Sequence, residues 1–133
     1  MGNSRAWNPV VEQLAADRPV VAYDHRGHGE STNTGDAATY TFDQLVADMT
    51  GFVDAIGLER FHVLGHSMGG VVSMRYTCDN PDRIASLIPM DTAAAASPDS
   101  DEGNVAFRRQ GTEIAGTQGM QARVDTTNAA SPA

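Results

Sequence analysis

Gly65-His66-Ser67-Met68-Gly69 lies between the apolar run Phe61-His62-Val63-Leu64 and a stretch with helical patterning. Strand, tight turn and helix in that order are the setting of a G-x-S-x-G nucleophile elbow. In such a turn the serine backbone is strained, which lifts the hydroxyl above the strand ends. A side chain at either flanking glycine is expected to clash with the folded turn. Met68 opens the following helix, so its N–H points where a tetrahedral oxyanion develops and gains from the helix dipole. Ser67 is therefore the candidate nucleophile, and the Met68 backbone N–H the candidate oxyanion-hole donor. The plainer alternative is a Gly-rich turn carrying an incidental serine, and the strand-elbow-helix order argues against it.

Outward from the elbow, helical and strand-like segments alternate up to about residue 92. Upstream, Phe42, Leu45, Val46, Met49, Phe52, Val53 and Ile56 recur at i, i+3, i+4, i+7 spacing and predict an amphipathic helix. Thr41 and Gln44 have capping-box spacing at its start, and Gly57 supplies a left-handed stop. Further upstream, Pro19-Val20-Val21-Ala22-Tyr23 reads as a short buried strand, and Trp7, Val10, Val11 and Leu14 fall on one helical face behind Pro9. Downstream, Val71, Met74 and Cys78 line one side of a helix that Asn80-Pro81 ends, and Ile84 to Met90 reads as a third strand. This βαβαβ succession predicts an α/β fold, a parallel sheet covered by helices. From Thr92 onward the chain is small and polar. Val105 to Ala115 is a weak helix candidate, and Gly116 to Ala133 offers little to bury, so a mobile tail is expected.

The 133 residues match one ordinary domain, near the usual size of about 100–150. Nine Lys+Arg against 17 Asp+Glu give a formal charge of −8 with no basic cluster, which excludes tracking a phosphate backbone or an anionic membrane. Neither nucleic acid nor a membrane is an expected partner. Cys78 stands alone, so no internal disulfide framework exists; it reads as a small buried hydrophobe in a reducing compartment. No apolar run reaches the roughly 18–20 residues of a membrane span, and the first residues lack a signal-peptide apolar region. A cytoplasmic location is expected.

Asp24-His25-Arg26-Gly27-His28-Gly29-Glu30-Ser31, then Gly65-His66-Ser67-Met68-Gly69-Gly70, then Pro81-Asp82-Arg83-Ile84 leading to Asp91-Thr92-Ala93, together resemble the α/β-hydrolase fold family, in its small esterase, haloperoxidase and lactonase group. The resemblance covers residues 4–92 and implies a partial α/β-hydrolase core over 1–92, lacking the strands before residue 1 and after about residue 92. Residues 93–133 would then be the start of the cap region and the mobile tail. It further implies that the second oxyanion N–H, the catalytic histidine and the usual triad acid belong to segments outside this chain. Residues 93–133 hold no histidine. In the family a further strand separates the two that correspond to 20–23 and 61–64, so those strands are expected to flank a vacant position, with open edges that favour self-association.

The four histidines carry no expected catalytic role. His25 and His28 read as turn hydrogen bonding and loop packing, His62 alternates within a strand, and His66 shapes the elbow while pointing away from the serine. A metal site at His25, His28, Asp24 and Glu30 is not expected, because all four lie in one loop without a second shell. No cofactor or metal is called for. Asp91, at the end of the last strand, is an alternative triad acid, since some members of the fold take theirs from that edge; a polar strand end is the plainer reading. Two functions remain. One is a serine hydrolase acting on a small ester, lactone or related carbonyl substrate through an acyl-enzyme on Ser67, present as a truncated chain inactive alone. The other is a non-catalytic interaction or ligand-binding module on a hydrolase-like scaffold.

Overall fold

The computed structural model describes residues 2–92 and 101–130, and the chain divides into two units, 1–94 and 95–133. In the first unit, α1 (Asn8–Leu14) follows a 3₁₀ turn at Ser4–Trp7; then come α2 (Phe42–Ala55), β1 (Phe61–His66), α3 (Met68–Asp79) and β2 (Ile84–Met90). In the second, α4 (Asp101–Ala130) is interrupted at Gly119, whose φ of 86° is not helical. It extends well beyond the Val105–Ala115 candidate. Residues 93–100 and 131–133, part of the expected cap start and tail, lie outside the described residues.

β1 and β2 are parallel, pairing Phe61 with Ile84 and His66 with Met90, with an irregularity after Phe61. These two strands are the whole sheet among the described residues. Pro19-Val20-Val21-Ala22-Tyr23 forms no regular element, and so not the strand its composition predicts. A strand is completed by a ladder of hydrogen bonds to a neighbour, and among the described residues this segment pairs with none. Val21 is accordingly exposed, while Tyr23 packs inward, stacked on Phe52 at 4.6 Å between ring centroids.

The core lies between α2 and α3. Leu45, Met49 and Val53, one stripe of α2, pack with Val72 and Tyr76 of α3, both wholly buried. Each such side chain contributes on the order of 2 kcal/mol by leaving water. The ends of α2 follow the sequence. Thr41 Oγ1 accepts the Gln44 N–H at 3.1 Å, Gly57 takes φ 71°, and the Leu58 N–H returns to the Val53 carbonyl at 2.9 Å. The reciprocal half of the capping box is absent, because the Gln44 amide turns instead to Asp48. α3 is rotated from its expected face. Its buried positions are Gly70, Val72, Ser73 and Tyr76, while Cys78 is exposed. Small residues at 70 and 73 let the helix lie close against β1, and this outweighs the apolar stripe of Val71, Met74 and Cys78.

Candidate functional site

β1 delivers the chain to Ser67 and α3 leaves from Met68, so the pentapeptide folds as strand, turn and helix. Ser67 has φ 51° and ψ −117°, a sparsely populated conformation for a residue with a side chain. Its N–H donates to the Met90 carbonyl at 2.9 Å, and its own carbonyl accepts the Gly70 N–H at 2.9 Å. Although Ser67 sits at the N-cap of α3, its hydroxyl makes no capping bond and the residue is exposed. The hydroxyl is thereby left available for chemistry. Met68 N–H is the first of the helix, and no acceptor for it occurs among the described residues.

The glycines of the elbow divide differently from the expectation. A Cβ at Gly65 would lie 2.6 Å from the Gly69 carbonyl carbon and 2.6 Å from Ser73 Oγ. One at Gly70 would lie 2.5 Å from Thr92 Cγ2 and 3.0 Å from the Gly65 carbonyl oxygen. At Gly69 the nearest atom is His25 Nε2 at 3.7 Å, an ordinary contact. Gly65 therefore abuts the Gly69 carbonyl, and Gly70 abuts Thr92 and the Gly65 carbonyl, so glycine is required at 65 and 70, and the expectation that Gly69 must be glycine is corrected. Ser73, buried in α3, completes the packing by donating its hydroxyl to the Gly69 carbonyl at 2.8 Å.

Asp91 follows β2 directly and takes φ 46°. Its carboxylate stands 3.5 Å from His66 Nε2, and both side chains are at least half exposed. The structure thus brings Asp91 to the elbow's own histidine, and His66 turns toward Asp91. His62 shares a 2.7 Å hydrogen bond with Ser86 across the strands. His28 Nδ1 lies 3.1 Å from the Arg26 carbonyl. His25 is different. Its ring packs edge-on against Tyr23 at 4.9 Å and its Nε2 faces Gly69. Burial is the main reason its pKa lies below the ordinary 6.5, with His28 adding to the effect, so it is neutral at pH 7.

The loop carrying His25 is held as a structural piece. Asp24 accepts the Ser4 N–H at 2.5 Å and the Glu30 N–H at 2.9 Å, and its carboxyl lies below the usual range for that reason. The Arg26 guanidinium forks onto both oxygens of Asp48 in α2 and donates to the Thr39 carbonyl at 3.0 Å. Asp48 is lowered chiefly by that bidentate bond. Among the described residues no group of three or more His, Cys, Asp or Glu is placed to hold a metal ion. Nor is any described helix long and apolar enough to cross a membrane. The reading of the sequence missed Thr92 and Ser73. Their only signal there is a hydroxyl just after a strand and one among the small residues of a helix's first turns.

Comparison with known proteins agrees with this geometry. The profile of the alpha/beta hydrolase fold family matches residues 1–132. A putative carbamate hydrolase, RutD, of Caulobacter segnis is 34% identical over 97 residues, 73% of this chain and 36% of that protein. A fluoroacetate dehalogenase from a Burkholderia species is 36% identical over 92 residues, 67% of this chain and 30% of that protein. Among solved structures, the enol-lactonase from Burkholderia xenovorans superimposes with a TM-score of 0.75 and 31% identity, over 94% of this chain and 45% of that one. The chain spans about a third of the length of these curated relatives.

Proposed function

This chain belongs to the alpha/beta hydrolase fold family, and from that membership we propose that Ser67 is the nucleophile of a serine hydrolase acting on an ester, lactone or related small carbonyl substrate. The observation that carries the proposal is the elbow itself: a strained Ser67 with an exposed, uncapped hydroxyl beside the Met68 N–H of a helix N-terminus, which has no acceptor among the described residues. In the reaction, Ser67 Oγ attacks the carbonyl carbon, and the negative charge moves to the carbonyl oxygen facing Met68 N–H. Collapse of that adduct expels the alkoxide and leaves an acyl-enzyme, which water then cleaves. Of the relatives named above, the putative carbamate hydrolase and the enol-lactonase bear names whose substrates carry an acyl carbon of the kind this reaction attacks, which supports a small carbonyl substrate; the fluoroacetate dehalogenase, by name, breaks a carbon–halogen bond instead.

The proton leaving Ser67 needs a base, and the same proposal assigns that base to sequence beyond this chain. No histidine follows residue 66, and His66 is turned to Asp91. Asp91 is accordingly proposed as a neighbour of the elbow more than as the triad acid. A cytoplasmic location, with no nucleic acid or membrane partner, belongs to the same reading. So does self-association of the isolated chain, because β1 and β2 each have one unpaired edge among the described residues. Size-exclusion chromatography with light scattering is expected to show oligomers or aggregates; a monodisperse monomer with a sharp melt would refute it.

The nucleophile is tested by covalent capture. In the protein expressed from its full reading frame, a fluorophosphonate probe is expected to label Ser67 and to leave Ser67→Ala unlabelled, because an activated serine forms a stable adduct with such reagents. An adduct mapped to another serine, or labelling that persists in the variant, would overturn the assignment. Complete absence of labelling would favour the non-catalytic module.

A further inference from the structure

Three donors converge on one carbonyl at the elbow. The Ser67 oxygen accepts the Gly70 N–H at 2.9 Å, the Val71 N–H at 3.2 Å and the Thr92 hydroxyl at 2.8 Å. The first two belong to the opening turn of α3. The third comes from outside the helix, two residues beyond the end of β2. The peptide joining Ser67 to Met68 is trans, so its C=O and N–H lie in one plane and point in opposite directions. Whatever fixes the Ser67 oxygen therefore fixes the direction of the Met68 N–H.

We infer that Thr92 is a positioning residue for the oxyanion hole: its hydroxyl holds the Ser67–Met68 peptide plane so that the Met68 N–H faces the developing charge. The inference rests on the proposed roles of Ser67 and Met68. Preorganised donors act because they need no reorientation as the reaction proceeds, so a peptide free to tilt loses part of that benefit. A hydrogen bond to the carbonyl also polarises the amide it belongs to, making its N–H a stronger donor.

Thr92 is itself held for this purpose. Its Cγ2 fills the space that a Cβ at Gly70 would need, so the absent side chain at position 70 is what admits the threonine. Asp91, at φ 46°, turns the chain as β2 ends, and aspartate tolerates that left-handed value better than most residues. The Ser67 N–H on the Met90 carbonyl ties the other end of the serine to the same segment. The strained residue is thus clamped on both sides by residues 90–92, and the strain at Asp91 is what lets Thr92 return to the elbow.

Thr92→Val keeps the branched shape against Gly70 and removes the hydroxyl, whereas Thr92→Ser keeps the hydroxyl. Labelling serine carbonyls with ¹³C and methionine amides with ¹⁵N reports only two peptides, Ser67–Met68 and Ser73–Met74. By solution or solid-state NMR, Thr92→Val is expected to move the Met68 correlation and leave Met74 in place, and Thr92→Ser to restore it. In the protein expressed from its full reading frame, fluorophosphonate capture at Ser67 should slow by about tenfold or more in Thr92→Val and recover in Thr92→Ser, since loss of a whole oxyanion donor costs about 10²–10³. Thr92→Ala replaces Thr92→Val if the valine variant does not fold. An unmoved Met68 correlation, or capture as fast as in the unsubstituted protein, overturns the inference. Absence of capture in the unsubstituted protein sinks the nucleophile assignment instead, and the NMR result still judges the tie.

Discussion

Purified alone, the 133-residue chain is expected to hydrolyse a p-nitrophenyl ester no faster than its Ser67→Ala variant. A neutral serine hydroxyl is a weak nucleophile, and losing the base or the serine of a triad costs on the order of 10⁶ in kcat. Each histidine here is otherwise engaged or held at a distance that gives no bond to the serine. His62 is on Ser86, His28 on the Arg26 carbonyl and His66 on Asp91. His25 alone faces the elbow from another element, through Nε2 toward Gly69. Clear Ser67-dependent turnover would overturn the expectation and point to His25 as the base. The pH profile would then identify it. Because the His25 pKa is depressed, chiefly by burial, the acid limb of the rate would fall below the ordinary histidine value of 6.5. An acid limb at or above 6.5 would implicate a different group.

The sequence makes some features plain because they are local. The cap at Thr41, the stop at Gly57 and the central stripe Leu45, Met49 and Val53 of α2 all depend on residues within a few positions of each other and form, whereas Phe42 and Ile56, at the two ends of the predicted stripe, are exposed. The elbow is legible for the same reason, since Gly65, Ser67 and Met68 carry its turn within four residues. What was not legible depends on partners distant in the chain. Composition marks 19–23 as strand-like, but a ladder needs a second strand that composition does not supply. The face of α3 was misread by the same mechanism. Apolar spacing favoured Val71, Met74 and Cys78, whereas the contact with β1 is set by how closely two backbones approach, which selects Gly70 and Ser73. Thr92 could not be read at all, because its meaning lies in one hydrogen bond across 25 positions.

The glycines of the elbow give the second large effect, and its sign changes between neighbours. Gly65→Ala sets a methyl 2.6 Å from the Gly69 carbonyl carbon, and backbone cannot swing aside as a flexible side chain can. Overpacking of that kind costs about 1–3 kcal/mol and more where nothing yields, so roughly 3 kcal/mol is expected. Gly70→Ala meets Thr92 Cγ2 at 2.5 Å and Cβ at 2.8 Å, both on a β-branched side chain with little freedom to turn. A loss of about 2 kcal/mol is expected there, together with displacement of Thr92 from the Ser67 carbonyl. Gly69→Ala should behave oppositely. It has a negative φ, a nearest neighbour at an ordinary 3.7 Å and a place in the first turn of α3, where alanine is the better helix former by up to about 1 kcal/mol. Thermal unfolding followed by circular dichroism should therefore rank Gly65→Ala lowest, then Gly70→Ala, then the unsubstituted chain, with Gly69→Ala equal to it or above. A Gly69→Ala variant as damaged as Gly65→Ala would show that the side-chain face of Gly69 is as crowded as that of Gly65, and would undo the account of how the elbow is packed.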